Sequence, residues 1–147
     1  MNSYAILVED KNVKKMGDRI ILSLIKKGNT SKYRIFGKLL FLECQKKLKN
    51  SNIEGIEIFD SVICHSNRND IYEQLKILIG NKKKAESFAI RVKRKGNHKY
   101  NSTSLARDIA AAVFEEWENI TVDLDNPQLE IFVQIINNMS IIYQKYS

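Results

Sequence analysis

The chain has 147 residues, 44% of them hydrophobic, with one proline and six glycines, a composition that can bury a core and excludes a disordered or collagen-like chain. No run reaches the ~20 apolar residues of a membrane helix, Met1–Glu9 lacks the basic start of a signal peptide, and Cys44 and Cys64 alone make no disulfide framework. The net charge of +7 is polarised: residues 1–60 hold 12 Lys and Arg against 7 Asp and Glu, residues 61–101 hold 10 against 3, and residues 102–147 hold 2 against 7.

Tyr4–Val8 reads as a short buried strand. From Asn12 to Lys27, Val13, Met16, Ile20, Ile21, Leu24 and Ile25 fall three or four apart with lysines opposite, and Gly28-Asn29 follows, which predicts an amphipathic helix and its stop. Tyr33–Phe36 and Leu39–Cys44 read as strands about Gly37, Gln45–Lys49 as a helical turn, and Asn50-Ser51-Asn52 as a loop. Ile56–Val62 is strand or extended connection. Ile71, Leu75, Leu78 and Ile79 predict a second helix over Asn69–Ile79, ending at Gly80-Asn81. Ser87–Lys93 sets Phe88, Ile90 and Val92 against Ala89, Arg91 and Lys93, the alternation of a half-buried strand with one basic face. After a turn at Lys95–His98, Ser102, Thr103 or Ser104 is expected to cap a helix to about Trp117, with Leu105, Ile109, Val113 and Trp117 four apart. Strands are expected at Thr121–Leu124, Leu129–Ile136 and Ser140–Tyr143, with turns at Asp125-Asn126-Pro127 and Asn137-Asn138. Phe88, Phe114, Phe132 and Trp117 sit at core spacing. Helices alternating with strands in this order predict an α+β fold on a mixed sheet.

Four stretches taken together resemble a THUMP domain: Ser-Phe-Ala-Ile-Arg-Val-Lys-Arg-Lys-Gly-Asn-His at 87–98, Ser-Leu-Ala-Arg-Asp-Ile-Ala-Ala-Ala at 104–112, Val-Asp-Leu-Asp-Asn-Pro at 122–127, and the strand Leu129–Ile136. The first half is similar, more loosely, to the small ferredoxin-like domain that precedes THUMP in tRNA-modifying enzymes. Asp-Ser-Val-Ile-Cys-His-Ser at 60–66 is like the joining segment of archaeal tRNA guanosine methyltransferases. The resemblance implies a ferredoxin-like N-terminal domain over 1–60 packed on a THUMP domain over 61–147. It also implies binding of tRNA at the 3′ CCA end, with the target base positioned in a separate catalytic domain, through a surface including Arg91, Lys93, Arg94, Lys95, Gly96, Asn97 and His98. The leading expectation is a module working in trans that presents tRNA to a separately encoded acetylating or methylating enzyme.

Charge and turn chemistry point to the same segment. Arg grips a phosphate with two donors, Lys acts as a mobile point charge, and Gly96 lets a ligand approach the backbone. Asn97 and His98 offer hydrogen bonds to base or ribose edges. Ser102 and Ser104 open a helix whose free amides favour an anion, and Arg107 lies one turn further on. Two readings stay open for Arg91 and Lys93: phosphate contact, or pairing with acids on a neighbouring strand. Arg107 likewise reaches phosphate or pairs with Asp108. Lys82–Lys84 form a solvated loop or a nonspecific attraction, and Lys11, Lys14 and Lys15 extend the basic track. No glycine-rich loop for S-adenosylmethionine, dinucleotides or ATP is present, and Cys64-His65 lacks the paired spacing of a zinc site. The expectation is therefore an RNA-binding module without catalysis, cofactor or metal, in the cytoplasm and away from membranes. The alternatives are a fragment of a tRNA guanosine methyltransferase and a protein-interaction module whose acidic C-terminal segment docks on a basic partner.

Overall fold

The computed structural model describes residues 1–9, 11–49, 52–53, 56–80 and 82–147. It divides into two compact units, Met1–Ser61 and Val62–Ser147. In the first unit the order is β1 (Asn2–Leu7), α1 (Val13–Lys26), β2 (Ser31–Phe36), β3 (Leu39–Cys44), β4 (Asn52–Ile53) and β5 (Ile56–His65), the last running through the boundary. Its sheet is antiparallel, in the order β2-β3-β1-β5, with β4 paired on β5.

Helix α1 starts where Asn12 accepts a hydrogen bond from the Lys15 amide at 3.0 Å, satisfying one of the orphan donors of the first turn. Ile20 and Leu24 are buried with Tyr4, Ile6, Leu40 and Leu42. Ile25, expected on that face, is 58% exposed, because it falls one residue past the Leu24 row and turns to solvent. The helix stops with Gly28 at φ +73°, where Gly28 N–H donates to Ile25 O and Asn29 N–H to Leu24 O, the paired bonds of a Schellman end.

The helical turn expected over Gln45–Lys49 does not form. Gln45 N–H donates to Thr30 O, Lys46 N–H to Asn29 Oδ1, and Leu48 N–H to the Tyr4 hydroxyl. Asn29 also donates to Lys46 O at 3.1 Å, so the amides a helix would use are committed to the Asn29–Thr30 loop and to Tyr4 of β1. Asn52, expected in a loop, lies in β4; Asn50 and Ser51 lie outside the described residues.

Gly17 marks the close approach of α1 to β2, since a Cβ there would sit 2.6 Å from the Tyr33 ring. The Tyr33 hydroxyl is 2.7 Å from Asp18 Oδ1 and 3.3 Å from Lys14 O, so the ring cannot move aside without giving up that anchorage. Alanine at this position gains about 1 kcal/mol of helix propensity, whereas overpacking costs about 1–3 kcal/mol. Gly17→Ala is expected to lower the urea midpoint of the chain. A raised midpoint would mean that the Tyr33 ring swings away freely.

The second unit holds α2 (Arg68–Gly80), β6 (Ser87–Lys95), α3 (Ser102–Glu116), β7 (Thr121–Val122), β8 (Leu129–Ile136) and β9 (Met139–Tyr146). Its strands run in the order β9-β8-β6-β7, with β6 parallel to both β7 and β8 and β9 antiparallel to β8. The sheet is therefore mixed and the architecture α+β. Helices α2 and α3 cover one face, burying Ile71, Leu75, Leu105, Ile109 and Val113 against Phe88, Leu129, Ile131, Val133 and Ile135. The burial of β8 alternates without a break, as its period-two sequence requires.

Helix α2 ends with Gly80; Asn81, expected to stop it, lies outside the described residues. Helix α3 is capped by Asn101 rather than by a residue of the Ser102–Ser104 run. Asn101 Oδ1 accepts from Ser104 N–H at 2.7 Å, and Ser104 Oγ accepts from Asn101 N–H at 3.1 Å, a reciprocal capping box. Strand β7 ends at Val122 because Asp123 Oδ1 accepts from the Asp125 and Asn126 amides, which bends the chain out of the strand. Strand β9 extends to Tyr146, beyond the expected Tyr143. Phe114, expected in the core, is 46% exposed, because it sits one residue off the Ile109–Val113 row. Phe132 is half-buried and stacks on Tyr143 at 4.8 Å. Among the described residues no helix is long and apolar enough to cross a membrane.

Candidate nucleic-acid interface

Parallel pairing of β6 with β7 and β8 sends the strand carboxyl ends to one end of the second unit, where the following helix must begin. Three connections are tied together there. Asn137 N–H donates to Lys95 O at 2.8 Å, joining the β8–β9 turn to the end of β6. Ser66 N–H donates to Asn138 O at 2.9 Å, joining the segment that leads into α2 to the same turn. His98 Nε2 lies 2.7 Å from Asn137 O. Gly96 makes this clamp possible: its φ is +116°, and a Cβ would meet Asn137 Cα at 3.2 Å.

His98 is oriented from both sides. Its Nδ1 lies 3.3 Å from Arg94 Nη1, and guanidinium nitrogens only donate. Nδ1 is therefore the acceptor, and the ring proton sits on Nε2, donated to Asn137 O. Arg94 also donates to Gly96 O at 3.3 Å. Tyr100 stacks on the imidazole with ring centroids 5.3 Å apart and 13° between planes, and its hydroxyl donates to Ser66 O. Burial pushes the Tyr100 phenol above its ordinary value, with the Arg94 charge working the other way.

Beside this network a cleft of about 510 Å³ is lined by Ser66, Asn67, Arg68, Asn97, His98, Lys99 and Tyr100. The first turn of α2 forms one wall. Asn67 Oδ1 accepts from Asp70 N–H at 2.8 Å and caps that helix. The loop into α3 forms the other wall. Helix starts present free amides and partial positive charge, which favours an anion. Arg68 adds a cation, held 2.8 Å from Asp108 of α3 in an exposed pair, while Asp70 and Asp108 are the acids nearby.

Arg94, Lys95, Gly96, Asn97 and His98 are brought together at this end, whereas Arg91 and Lys93 lie further back on β6. Arg91 is engaged within the fold: its Nε is 3.4 Å from Glu130 Oε2 on β8, and its Nη2 donates to Leu124 O at 2.7 Å. The open alternative of strand-to-strand pairing is thus what Arg91 does. Lys93 is exposed and makes no ion pair among the described residues. The Ser104 hydroxyl is spent on the cap, Ser102 is half-buried in the first turn, and Arg107 is exposed without an ion pair among the described residues. Asp108 pairs with Arg68, not with Arg107. The sequence reading missed Ser66, Asn67, Arg68, Lys99 and Tyr100. The polar Ser66-Asn67 step before an apolar-periodic helix was a cap pattern that could have flagged the first wall. Burial, with the Asp70 charge adding to it, pushes the Cys64 thiol up to about 12, which disfavours the thiolate form.

The THUMP domain profile matches residues 65–144. A protein called "probable tRNA sulfurtransferase" from Saccharolobus solfataricus is 36% identical over 104 residues, which is 65% of this chain and 28% of that protein. One of the same description from Saccharolobus islandicus is 32% identical over 133 residues, 85% of this chain and 34% of that protein. The chain thus spans about a third of the length of these relatives. A solved structure described as a 4-thiouridine synthetase–RNA complex with bound ATP superposes on 99% of this chain and 41% of its own at a TM-score of 0.72 with 16% identity, a likeness of fold. With more than half its length matched, the chain belongs to the THUMP domain family.

Proposed function

We propose that this chain binds tRNA with the end of the second unit where the strands of β6 and β8 finish, and presents it to a separately encoded modifying enzyme. The observation that carries the reading is the convergence of the α2 start at Ser66–Arg68 and the Asn97–Tyr100 loop on one cleft, beside the Arg94–His98 contact. Relatives named as tRNA sulfurtransferases, and a fold shared with a synthetase solved together with RNA, support tRNA as the polyanion. In this reading Lys93, Arg94, Lys95 and Arg107 meet phosphates. Asn97 and His98 meet the exposed bases and riboses of the 3′ CCA end, and Ser102 offers the α3 amides. Gly96, Arg91 and Ser104 shape the frame: the turn, the strand edge and the helix cap. The chain itself supplies position and charge rather than bond-making groups.

The test is fluorescence anisotropy of the whole chain with mature tRNA and with the same tRNA lacking its CCA end, over a salt series. Intact tRNA is expected to bind tighter at every salt concentration. Lys95→Ala is expected to reduce the slope of log affinity against log salt by about 0.9, the release of one phosphate contact. His98→Ala is expected to leave the slope unchanged and to erase the preference for the intact end. Equal affinity for both tRNAs, with a steep salt dependence, would reduce the interaction to nonspecific charge attraction.

A further inference from the structure

The second unit also carries an acidic stretch opposite in sign to its basic turn. Between Asp108 and Lys145 lie 36 residues without one Lys or Arg and with six acids: Glu115, Glu116, Glu118, Asp123, Asp125 and Glu130. Glu115 pairs with Lys76 and Glu130 with Arg91, but among the described residues no ion pair neutralises Glu118 or Asp125, both exposed. In their midst the sheet ends on the short strand β7. Phe114 packs edge-on against Phe88 at 5.3 Å, and Val122 is the register neighbour of that same Phe88. Phe114, Val122 and Leu124 are 46%, 53% and 62% exposed. Exposed large apolar side chains at the edge of a sheet, on a stretch of chain that carries Glu118 and Asp125 exposed and no Lys or Arg, have the composition of a protein-docking patch.

We infer that this patch docks the separately encoded modifying enzyme, through an apolar spot on that enzyme rimmed by Lys and Arg. The inference rests on the adaptor reading above. Charge decides the occupant. The patch is opposite in sign to residues 61–101 of the same chain, so a polyanion is turned away from it and a basic protein surface is drawn to it. An enzyme that also handles tRNA carries such basic surface. Its contact with Phe114 and Val122 would leave the Arg94–Lys99 turn free for RNA.

The probe is the part of the Saccharolobus solfataricus sulfurtransferase outside the stretch matched by this chain, immobilised and titrated with the whole chain. Two double variants are compared with the unmodified chain: Phe114→Ala with Val122→Ser, and Glu118→Lys with Asp125→Lys. The unmodified chain is expected to bind with an affinity that weakens as salt rises. Each double variant is expected to weaken it by about tenfold or more, the loss typical of an aromatic anchor or a reversed charge pair, while tRNA affinity is not reduced. The charge variant touches only exposed side chains, so the test survives if the apolar variant fails to fold. Variants that bind the probe as the unmodified chain does, or an unmodified chain that binds tRNA but not the probe, overturn the docking surface. A chain that binds no tRNA overturns the adaptor reading instead.

Discussion

Phe88→Ala is expected to cost about 3–5 kcal/mol, the range for emptying an aromatic site in a packed core. Phe88 is 1% exposed. It stands on β6 between its register neighbours Val122 and Leu129, with the Phe114 ring edge-on above it. No single neighbour can relax into the space without leaving its own strand or helix, so the cavity persists. Against a total stability of about 5–15 kcal/mol for a typical domain, the variant loses a large share of what holds the second unit. The chain contains one tryptophan, and Trp117 is buried in the same cluster as Phe88. Its fluorescence during urea denaturation therefore reports this unit directly. Phe114→Ala is the comparison. That ring is half out in solvent, and its loss is expected to cost about 1 kcal/mol, mainly the ring–ring contact. Equal midpoints for the two variants would mean that the exposed ring holds the edge of the sheet as much as the buried one does, and that no persistent cavity forms at Phe88.

The contrast between those two rings shows what the sequence discloses. Periodicity places Leu105, Ile109, Val113 and Trp117 on one stripe and predicts their burial, because a helix face is a local property of 3.6-residue spacing. The same logic makes Leu129–Ile136 readable, since alternation in a strand is local too. Phe114 fails because its character as a large apolar residue says nothing about whether a neighbour exists to cover it. Gln45–Lys49 fails for a related reason. Its fate is decided by Asn29 and Tyr4, which lie 17 and 44 residues from their partners Lys46 and Leu48, a separation no window of local propensity spans.

Membership of the THUMP family was legible because four motif pieces stand in order through the second half, each carrying a turn, cap or strand pattern with its own cause. The basic turn at Arg94–His98 was legible from charge and glycine. Its cleft was not. Asn67 and Arg68 meet Asn97 and Tyr100 only through the parallel crossing of strands and the Ser66–Asn138 and Lys95–Asn137 bonds. Arg91 carried two readings, and only the position of Glu130 and of the Leu124 carbonyl decides between them.

Gly96→Ala is the substitution in which fold and proposed function part company. A residue with a side chain at φ +116° carries strain of about 1–3 kcal/mol, and the new Cβ would stand 2.7 Å from Asn137 Oδ1, 3.2 Å from its Cα and 3.3 Å from its nitrogen. The carboxamide can rotate away. The Asn137 backbone cannot, because its N–H is bonded to Lys95 O and its carbonyl to His98. Relief must come from opening the clamp, which releases His98 from Asn137 and, through the shared turn, shifts Asn138 from Ser66. The core of Phe88, Leu105 and Ile109 lies outside this clamp, so Trp117 fluorescence and the cooperative unfolding of the unit are expected to survive at a lower midpoint. The tRNA measurement is expected to change more: about tenfold weaker binding, equivalent to about 1.4 kcal/mol, with the preference for the intact CCA end gone. Asn97→Ala, at an exposed neighbour with no such clamp, separates the two effects. If Gly96→Ala lowers the midpoint but leaves tRNA affinity and end preference intact, the clamped turn is scaffolding alone. The RNA would then have to be held by the lysines without a fixed histidine, on charge rather than shape.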